Sequence, residues 1–445
     1  MKIAGIIAEY NPFHNGHAYQ IHELRRLTGV DHVVVAMSGD FVQRGEPAIT
    51  DKFVRAKAAL SCGADLILEL PTVASTASAE YFASAAVALL QSLGCVDLLC
   101  FGAECEDLSA LVRIADILIE EPECYRTALT HALAQGIAFP AARVQALRLL
   151  LSEEDTTLLS SPNNILAVEY LKALKRLEQS GLSVPTPFLI PRRGSGYHHA
   201  ALDHPFASAT ALRRSIQRSY ISSSVDSDIS EERLLSELSP YMPSDALSVL
   251  REALHSSPPV CLNDFSSMLH YQLLMSADPD RYCRYFDVPD ALAHRIRKLQ
   301  KDLTDLESFV GLLKTRNLTE LTVRRALIHI LLQLSPLPAV SPGPSGSTLL
   351  PLIFSEILYA RVLGFRKEHA AILTRIKKEG HLPLISKTAD AQSIIFSYEA
   401  YTSSQKEHCW HLFSETRRAS AVYHSIAAVQ THAAFTEETL PILLL

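Results

Sequence analysis

Apolar and polar positions alternate in blocks over the first hundred residues. Short apolar, β-rich runs, "KIAGIIA" (2–8), "HVVVAMS" (32–38), "DLILELP" (65–71) and "VDLLCFG" (96–102), are separated by amphipathic stretches at 15–28, 50–61 and 77–92. The runs lack the polar alternation of a half-exposed strand, as expected when helices cover both faces of a sheet. This rhythm predicts βαβ units and an α/β fold built on a Rossmann-like, doubly wound parallel sheet. Ligands of such sheets bind outside the carboxyl ends of the strands, here "AEYNPFHNGH", "SGDFVQRGEP", "LPTVAS" and "GAECE".

From 107 to 180 the pattern is mainly helical and includes "SPNNILAVEYLKAL", where Ser161 can cap and Pro162 suits the first helical position. A late strand is predicted at 185–191 and a helix near 207–217. The serine- and acid-rich "SYISSSVDSDISEE" (219–232) reads as a connector, so a catalytic domain is expected over 1–220 and a mainly α-helical domain over 221–445. Within the second domain, the proline- and glycine-rich stretch at 335–351 reads as a loop or mobile insertion.

At 445 residues the chain exceeds the usual size of a single core, which agrees with two domains. No apolar run is long enough to cross a bilayer, and the N-terminus lacks signal-peptide features, so a cytoplasmic protein without membrane association is expected. The eight cysteines form no C-x-x-C pair. Cys95, Cys100 and Cys105, five apart, are either a zinc trio or small buried hydrophobes, and Cys100 lies in a strand-like run. A formal charge of −7 excludes a generic polyanion binder, so any nucleic-acid contact must come from a local basic surface.

Candidate chemistry concentrates in "YNPFHNGHAYQ" (10–20), directly behind the first apolar run. A strand that passes through a proline-containing turn into a helix presents unpaired N–H groups and the positive end of a helix dipole, an anion site. Gly16 lacks a Cβ and opens the backbone to a phosphate, while His14 and His17 project from one side of the first turn and can donate to its oxygens. A lone histidine here would be a turn or cap residue; H-x-G-H behind the first strand of a βαβ chain points to phosphate.

In that motif the sequence resembles the nucleotidyltransferase-like superfamily. "EYNPFHNGH", "MSGDFVQRGEPAITDKFVRAKAAL", "GADLILELP", "FGAE", "SPNNILAVEYLKAL" and "SATALR" stand in the order and context of the bacterial tRNA(Met) cytidine acetate ligase family, densely over residues 1–217. "RVLGFRKEHAAILTRIKKEGHLPLISK" is similar to that family's C-terminal region. The resemblance implies that acetate attacks the α-phosphate of ATP to give acetyl-adenylate and pyrophosphate. The N4 amine of the wobble cytidine of elongator tRNA(Met) then takes the acetyl group, forming N4-acetylcytidine. The resemblance assigns ATP to Ile7, Ala8, Glu9, Tyr10, Asn11, Pro12, Phe13, His14, Asn15, Gly16, His17, Ala18, Tyr19 and Gln20, with Gly102, Asn163 and Arg192. It gives the phosphate and transition-state contacts to His14 and His17.

The residues suit these roles. Two donors placed at the α-phosphate match the charge that builds there, Arg192 or Arg193 can pair with phosphate, and Gly102 lets a base or ribose lie flat. Asn163 suits either a base edge or a plain helix start. Mg²⁺ is expected to accompany ATP without a dedicated protein cage. "SATALR" stands where a second phosphate-binding turn is expected, with Ser208, Thr210 and Arg213; Ala211 replaces a further hydroxyl of the related pattern, and a Ser-capped helix is the alternative. Asp40, Gln43 and Arg44 line an acetate or cytidine pocket, or belong to a solvated loop in which Arg44 pairs with Glu46.

For tRNA, basic residues cluster at Arg295, Arg297 and Lys298, at Arg324 and Arg325, and at Arg375, Lys377 and Lys378. Such clusters are solvated helix faces or RNA contacts, and the resemblance favours RNA. No obligate protein partner is expected. Two other functions use the same motif: a small-molecule nucleotidyltransferase, which leaves the helical half without a purpose, and a nucleotide-sensing RNA-binding protein without turnover.

Overall fold

A computed structural model of the chain describes residues 1–193, 208–222, 227–276, 278–335 and 359–445. Five strands form the parallel core: β1 (Ile3–Ala8), β2 (His32–Ser38), β5 (Leu66–Leu70), β6 (Leu98–Ala103) and β7 (Thr186–Pro191). Between β2 and β5 the chain makes an antiparallel hairpin of β3 (Phe41–Val42) and β4 (Glu46–Pro47). The parallel strands lie in the order β5-β2-β1-β6-β7. Strand order therefore reverses beside β1, and a crevice opens between the carboxyl ends of β1 and β6.

Side-chain alternation explains why these runs are mainly apolar. Val34 and Ala36 of β2 join one apolar cluster, with the helices Ala79–Ser92 and Pro162–Gln179. Val33, Val35 and Met37 join a second, with α1 (Asn15–Thr28) and α2 (Lys52–Ser61). All five are fully buried, so the strand has no face left for polar residues. The first cluster continues without a break into helices from Ser266 to Leu332 and from Ala391 to Thr431, so the helical half shares a core with the sheet.

The structure differs from the sequence expectation at the sheet edge. Residues expected in the helical half add β8 (Ala360–Phe365) antiparallel to β5 and β10 (Leu443–Leu444) parallel to β8, while "LPLIS", which reads as a short strand-like piece, supplies β9 (Leu384–Ile385), also parallel to β8. The charge inside β8 is the reason this strand is hard to read. Arg361 is buried, and it is neutralised by Glu69 at 2.9 Å and Glu437 at 2.7 Å. Lys52 joins the same interior network, 2.7 Å from Glu69 and 2.6 Å from Glu437.

The predicted connector at 219–232 is instead occupied by the ends of two helices, Ala209–Ser222 and Ser227–Leu238, with 223–226 outside the described residues. The loop expected at 335–351 lies, beyond Ser335, outside them too. Cys95, Cys100 and Cys105 are buried, and no metal-ligand cluster among the described residues includes any of them. No helix among the described residues is long and apolar enough to cross a membrane.

Candidate active site

The turn Tyr10–His14 leaves β1 with Tyr10 in the left-handed region and a cis Asn11–Pro12 bond, then enters α1. His14 occupies the N-cap in extended conformation, and its Nδ1 accepts the Gly16 N–H at 3.0 Å. His17 completes a capping box: its Nδ1 accepts the backbone N–H of His14 at 3.2 Å. The two rings stack with centroids 3.8 Å apart, and Tyr10 meets the edge of His17 at 4.8 Å.

These bonds fix the chemistry of the pair. Each Nδ1 is an acceptor, so each neutral ring carries its proton on Nε2. Burial, followed by the charges of Arg192 and Arg213, pushes His14 down to about 3. Burial, followed by His14 and Arg192, holds His17 well below its usual value. Both imidazoles are therefore uncharged near neutrality, and neither Nε2–H is taken by a protein acceptor among the described residues. The expectation for Gly16 changes: a Cβ there would lie 2.9 Å from His14 Cε1, so glycine makes room for the capping ring.

Charged groups surround the turn. Arg213 donates to the Asn11 carbonyl at 2.9 Å and pairs with Glu46 at 3.0 Å. Arg324 reaches Glu46 at 3.8 Å from the helix Glu320–Leu332 of the C-terminal half. Arg44 sits among Arg213, Glu9, Glu46 and Arg324, so three guanidiniums face two carboxylates. Glu9 accepts the Gln43 N–H at 2.9 Å, and burial raises its carboxyl pKa. Gly45 fixes how the hairpin meets the helix: at φ +68°, a Cβ on it would come within 2.4 Å of the Arg325 nitrogen.

The structure brings most, not all, of the predicted residues together. Gly102 packs on Arg192, whose Cγ would be 3.3 Å from an added Cβ. Asn163 donates to Glu104 at 2.5 Å, just past the end of β6. Ser161 stands at the N-cap of its helix without a side-chain capping bond; Glu104 accepts the Asn164 N–H instead, at 3.1 Å. Ser208 accepts the Ala211 N–H at 3.2 Å and so caps the helix that carries Thr210 and Arg213. Asn15 is engaged by the C-terminal half, through the carbonyls of Pro240 and Tyr241. Asp40 is interior, accepting from the Lys52 N–H at 2.8 Å and from Ser420 at 2.7 Å, which removes it from the pocket wall.

The basic candidates separate. Arg324 and Arg325 lie at the hairpin. Arg295 caps another helix through the Leu312 and Leu313 carbonyls, while Arg297 and Lys298 are exposed beside it. Arg375 bonds the Met1 carbonyl and Glu379, so its helix, with exposed Lys377 and Lys378, lies at the amino edge of the sheet, opposite His14.

Sequence reasoning missed Arg55. It is buried in α2 and donates to the carbonyls of Glu9, Ser38, Gly39 and Thr50, clamping the carboxyl ends of β1 and β2. Its signal was a cation on the apolar stripe Lys52-Arg55-Ala56-Ala59, all four buried.

Comparison with known proteins identifies the chain's relatives. The family description "HIGH Nucleotidyl Transferase" matches residues 1–437. A tRNA(Met) cytidine acetate ligase of Caldanaerobacter subterraneus subsp. tengcongensis is 39% identical over 419 residues, 91% of this chain and 96% of that protein. One of Acetivibrio thermocellus is 38% identical over 394 residues, 88% of this chain and 89% of that protein. The crystal structure of Thermotoga maritima TmcAL bound with alpha-thio ATP superposes with a TM-score of 0.83 at 27% identity, over 100% of this chain and 99% of that one.

Proposed function

The chain belongs to the HIGH nucleotidyl transferase family and, within it, to the tRNA(Met) cytidine acetate ligases, and from that membership we propose a two-step reaction at the crevice beside β1. It is an ATP-dependent ligase. A carboxylate oxygen of acetate attacks the α-phosphorus, the bond to the bridging oxygen breaks, and pyrophosphate leaves with that electron pair. The N4 amine of the wobble cytidine of tRNA(Met) then attacks the acetyl carbon and releases AMP.

The observation that carries this reading is the capping box. Two neutral imidazoles, each with Nδ1 bound to backbone, offer two Nε2–H donors held in place before the phosphates arrive. Donors aimed where charge develops need no reorganisation during the displacement. Arg192 and Arg213, whose charges are felt at His14, suit the phosphate tail. Gly102 and Asn163, at and beside the end of β6, suit the nucleoside. Gln43 and Arg44, on the hairpin beside Glu9, suit the acetate or the cytidine. The carboxylates at the turn are already engaged, Glu9 by Gln43 and Glu46 by Arg213 and Arg324, so an Mg²⁺ accompanying ATP would be held mainly through phosphate and water and would help neutralise the phosphate charge. Arg324, with Arg297 and Lys298 on exposed helix surface, suits tRNA phosphates.

Pyrophosphate exchange into ATP, with and without acetate, followed by transfer of labelled acetate to tRNA, tests the sequence of steps. Acetate-dependent exchange followed by transfer is expected. Exchange that ignores acetate would sink the ligase mechanism and favour a small-molecule nucleotidyltransferase.

A further inference from the structure

A second cluster of chemically competent side chains lies at the amino edge of the sheet, opposite His14. His32 opens β2, Asp65 immediately precedes β5, and His369 follows β8, which runs antiparallel and so ends at the same edge. One nitrogen of each imidazole and one carboxylate oxygen lie within 4.8 Å of one another. The two Nδ1 atoms are 2.8 Å apart, and His369 Nε2 is 3.7 Å from Asp65 Oδ1.

The carboxylate is half satisfied. Asp65 Oδ2 accepts the Val33 N–H at 2.7 Å and an Arg25 guanidinium N–H. Asp65 Oδ1 is buried with no hydrogen-bond partner. Arg366 stays 3.9 Å from it and pairs instead with Glu368 at 2.6 Å. An orphaned carboxylate oxygen in a fully buried side chain is costly, and here it lies beside two imidazole nitrogens.

We propose that His32, Asp65 and His369 bind one divalent transition-metal ion of the zinc class, with water in the fourth position. Two imidazoles and a carboxylate are the ligand chemistry such ions select. Ligand bonds of about 2.0–2.2 Å need ligand separations of about 3.3 Å. Only one nitrogen of His369 can hold the ion, so the 2.8 Å Nδ1–Nδ1 contact must open and the remaining ligand separations, none above 4.8 Å, must close. His369 provides that movement, since it lies on a single turn, Lys367–His369, with its side chain 23% exposed. Val33 and Arg25 orient the carboxylate through Oδ2 and leave Oδ1 for the ion. Two nearby guanidiniums make the site weaker than a closed four-ligand cage and its ion exchangeable. The ion ties the segment after β8 to the first residues of β2 and β5, so it acts on stability and is independent of the ligase reading.

The test uses the full-length protein stripped with a chelator. Zn²⁺ is titrated against a chromogenic competitor, Co²⁺ is followed by its absorbance, and thermal unfolding is recorded with and without ion. One equivalent and a higher Tm are expected. His369→Ala, with its fold checked by circular dichroism, should lose affinity by about tenfold or more and lose the Tm increment. His14→Asn, His22→Ala and Cys124→Ser should keep both. Less than one equivalent in the parent protein, unchanged affinity in His369→Ala, or loss of binding in any of the three controls overturns the proposal.

Discussion

The capping role of His14 and the phosphate role proposed for it use different nitrogens and can be separated. Its Nδ1 caps α1 and its Nε2–H is free for a phosphate. His14→Asn keeps a capping oxygen at the N-cap and removes the Nε2 donor. Acetate-dependent pyrophosphate exchange should fall about 10²–10³-fold, in line with loss of one preorganised donor, while Tm changes little. A normal exchange rate would place the phosphates elsewhere. Burial that holds His14 and His17 neutral also acts on a third histidine, which adds to their acid dependence. His329 is fully buried, with Nδ1 2.7 Å from the Phe286 carbonyl and Nε2 3.0 Å from Thr76 Oγ1, and burial pushes it down to about 4 from an ordinary value of 6.5. Between those values the unfolded chain binds the proton and the folded one does not, so stability is complete above pH 6.5 and falls as pH drops toward 4. His329→Gln should flatten that slope in urea unfolding measured at a series of pH values. At this scale the histidine motif was legible because its spacing is local. Arg55 was not, because its partners are carbonyls from three separate places in the chain.

The β3–β4 hairpin is the element that joins the two halves at the site. Its Gly45 packs on the backbone of Arg324 and Arg325 in the second turn of the helix Glu320–Leu332, and its Glu46 lies between Arg213, which holds the Asn11 carbonyl, and Arg324, which belongs to that helix. A side chain on the helical half thus reaches the histidine turn through one carboxylate. Arg324→Ala should leave acetate-dependent pyrophosphate exchange within about threefold of the parent, since Arg213 still holds Glu46 and Asn11. It should weaken acetyl transfer to tRNA more than exchange, because loss of a phosphate contact costs affinity and reduces the salt slope. Equal loss in both steps would make Arg324 part of the ATP site alone. "SGDFVQRGEP" could be placed at the strand ends from its position in the chain. That its carboxylate faces an arginine from a helix nearly 300 residues onward has no local trace in the sequence.

Across the whole molecule, the sheet and the helical half are held by burial on one side and by buried charge on the other. The five parallel strands were readable because each is a short, mainly apolar run between turn signals, spaced by amphipathic stretches in a βαβ rhythm. β8 was not, because Arg361 interrupts "YARVLGF", and its tolerance depends on Glu69 in β5 and on Glu437 near the C-terminus. Lys52 closes this network from α2: its ammonium meets Glu69 and Glu437, and Asp40 at 3.8 Å. With two cations and three carboxylates in contact, the interior tolerates the charges only as a set. Opposite charges hold Asp40 and Glu437 below the usual carboxylate range despite their burial. Lys52→Met, close in volume to lysine's apolar stem, removes one cation and leaves Glu69 and Glu437 to share Arg361. The expected cost is about 3–5 kcal/mol in denaturant unfolding, the range for breaking a buried pair from one side. Lys52→Met combined with Glu437→Gln restores the charge count and should recover part of that loss. If the single substitution costs less than 1 kcal/mol, water reaches the network, and β8 must then be held to the sheet by its apolar contacts alone.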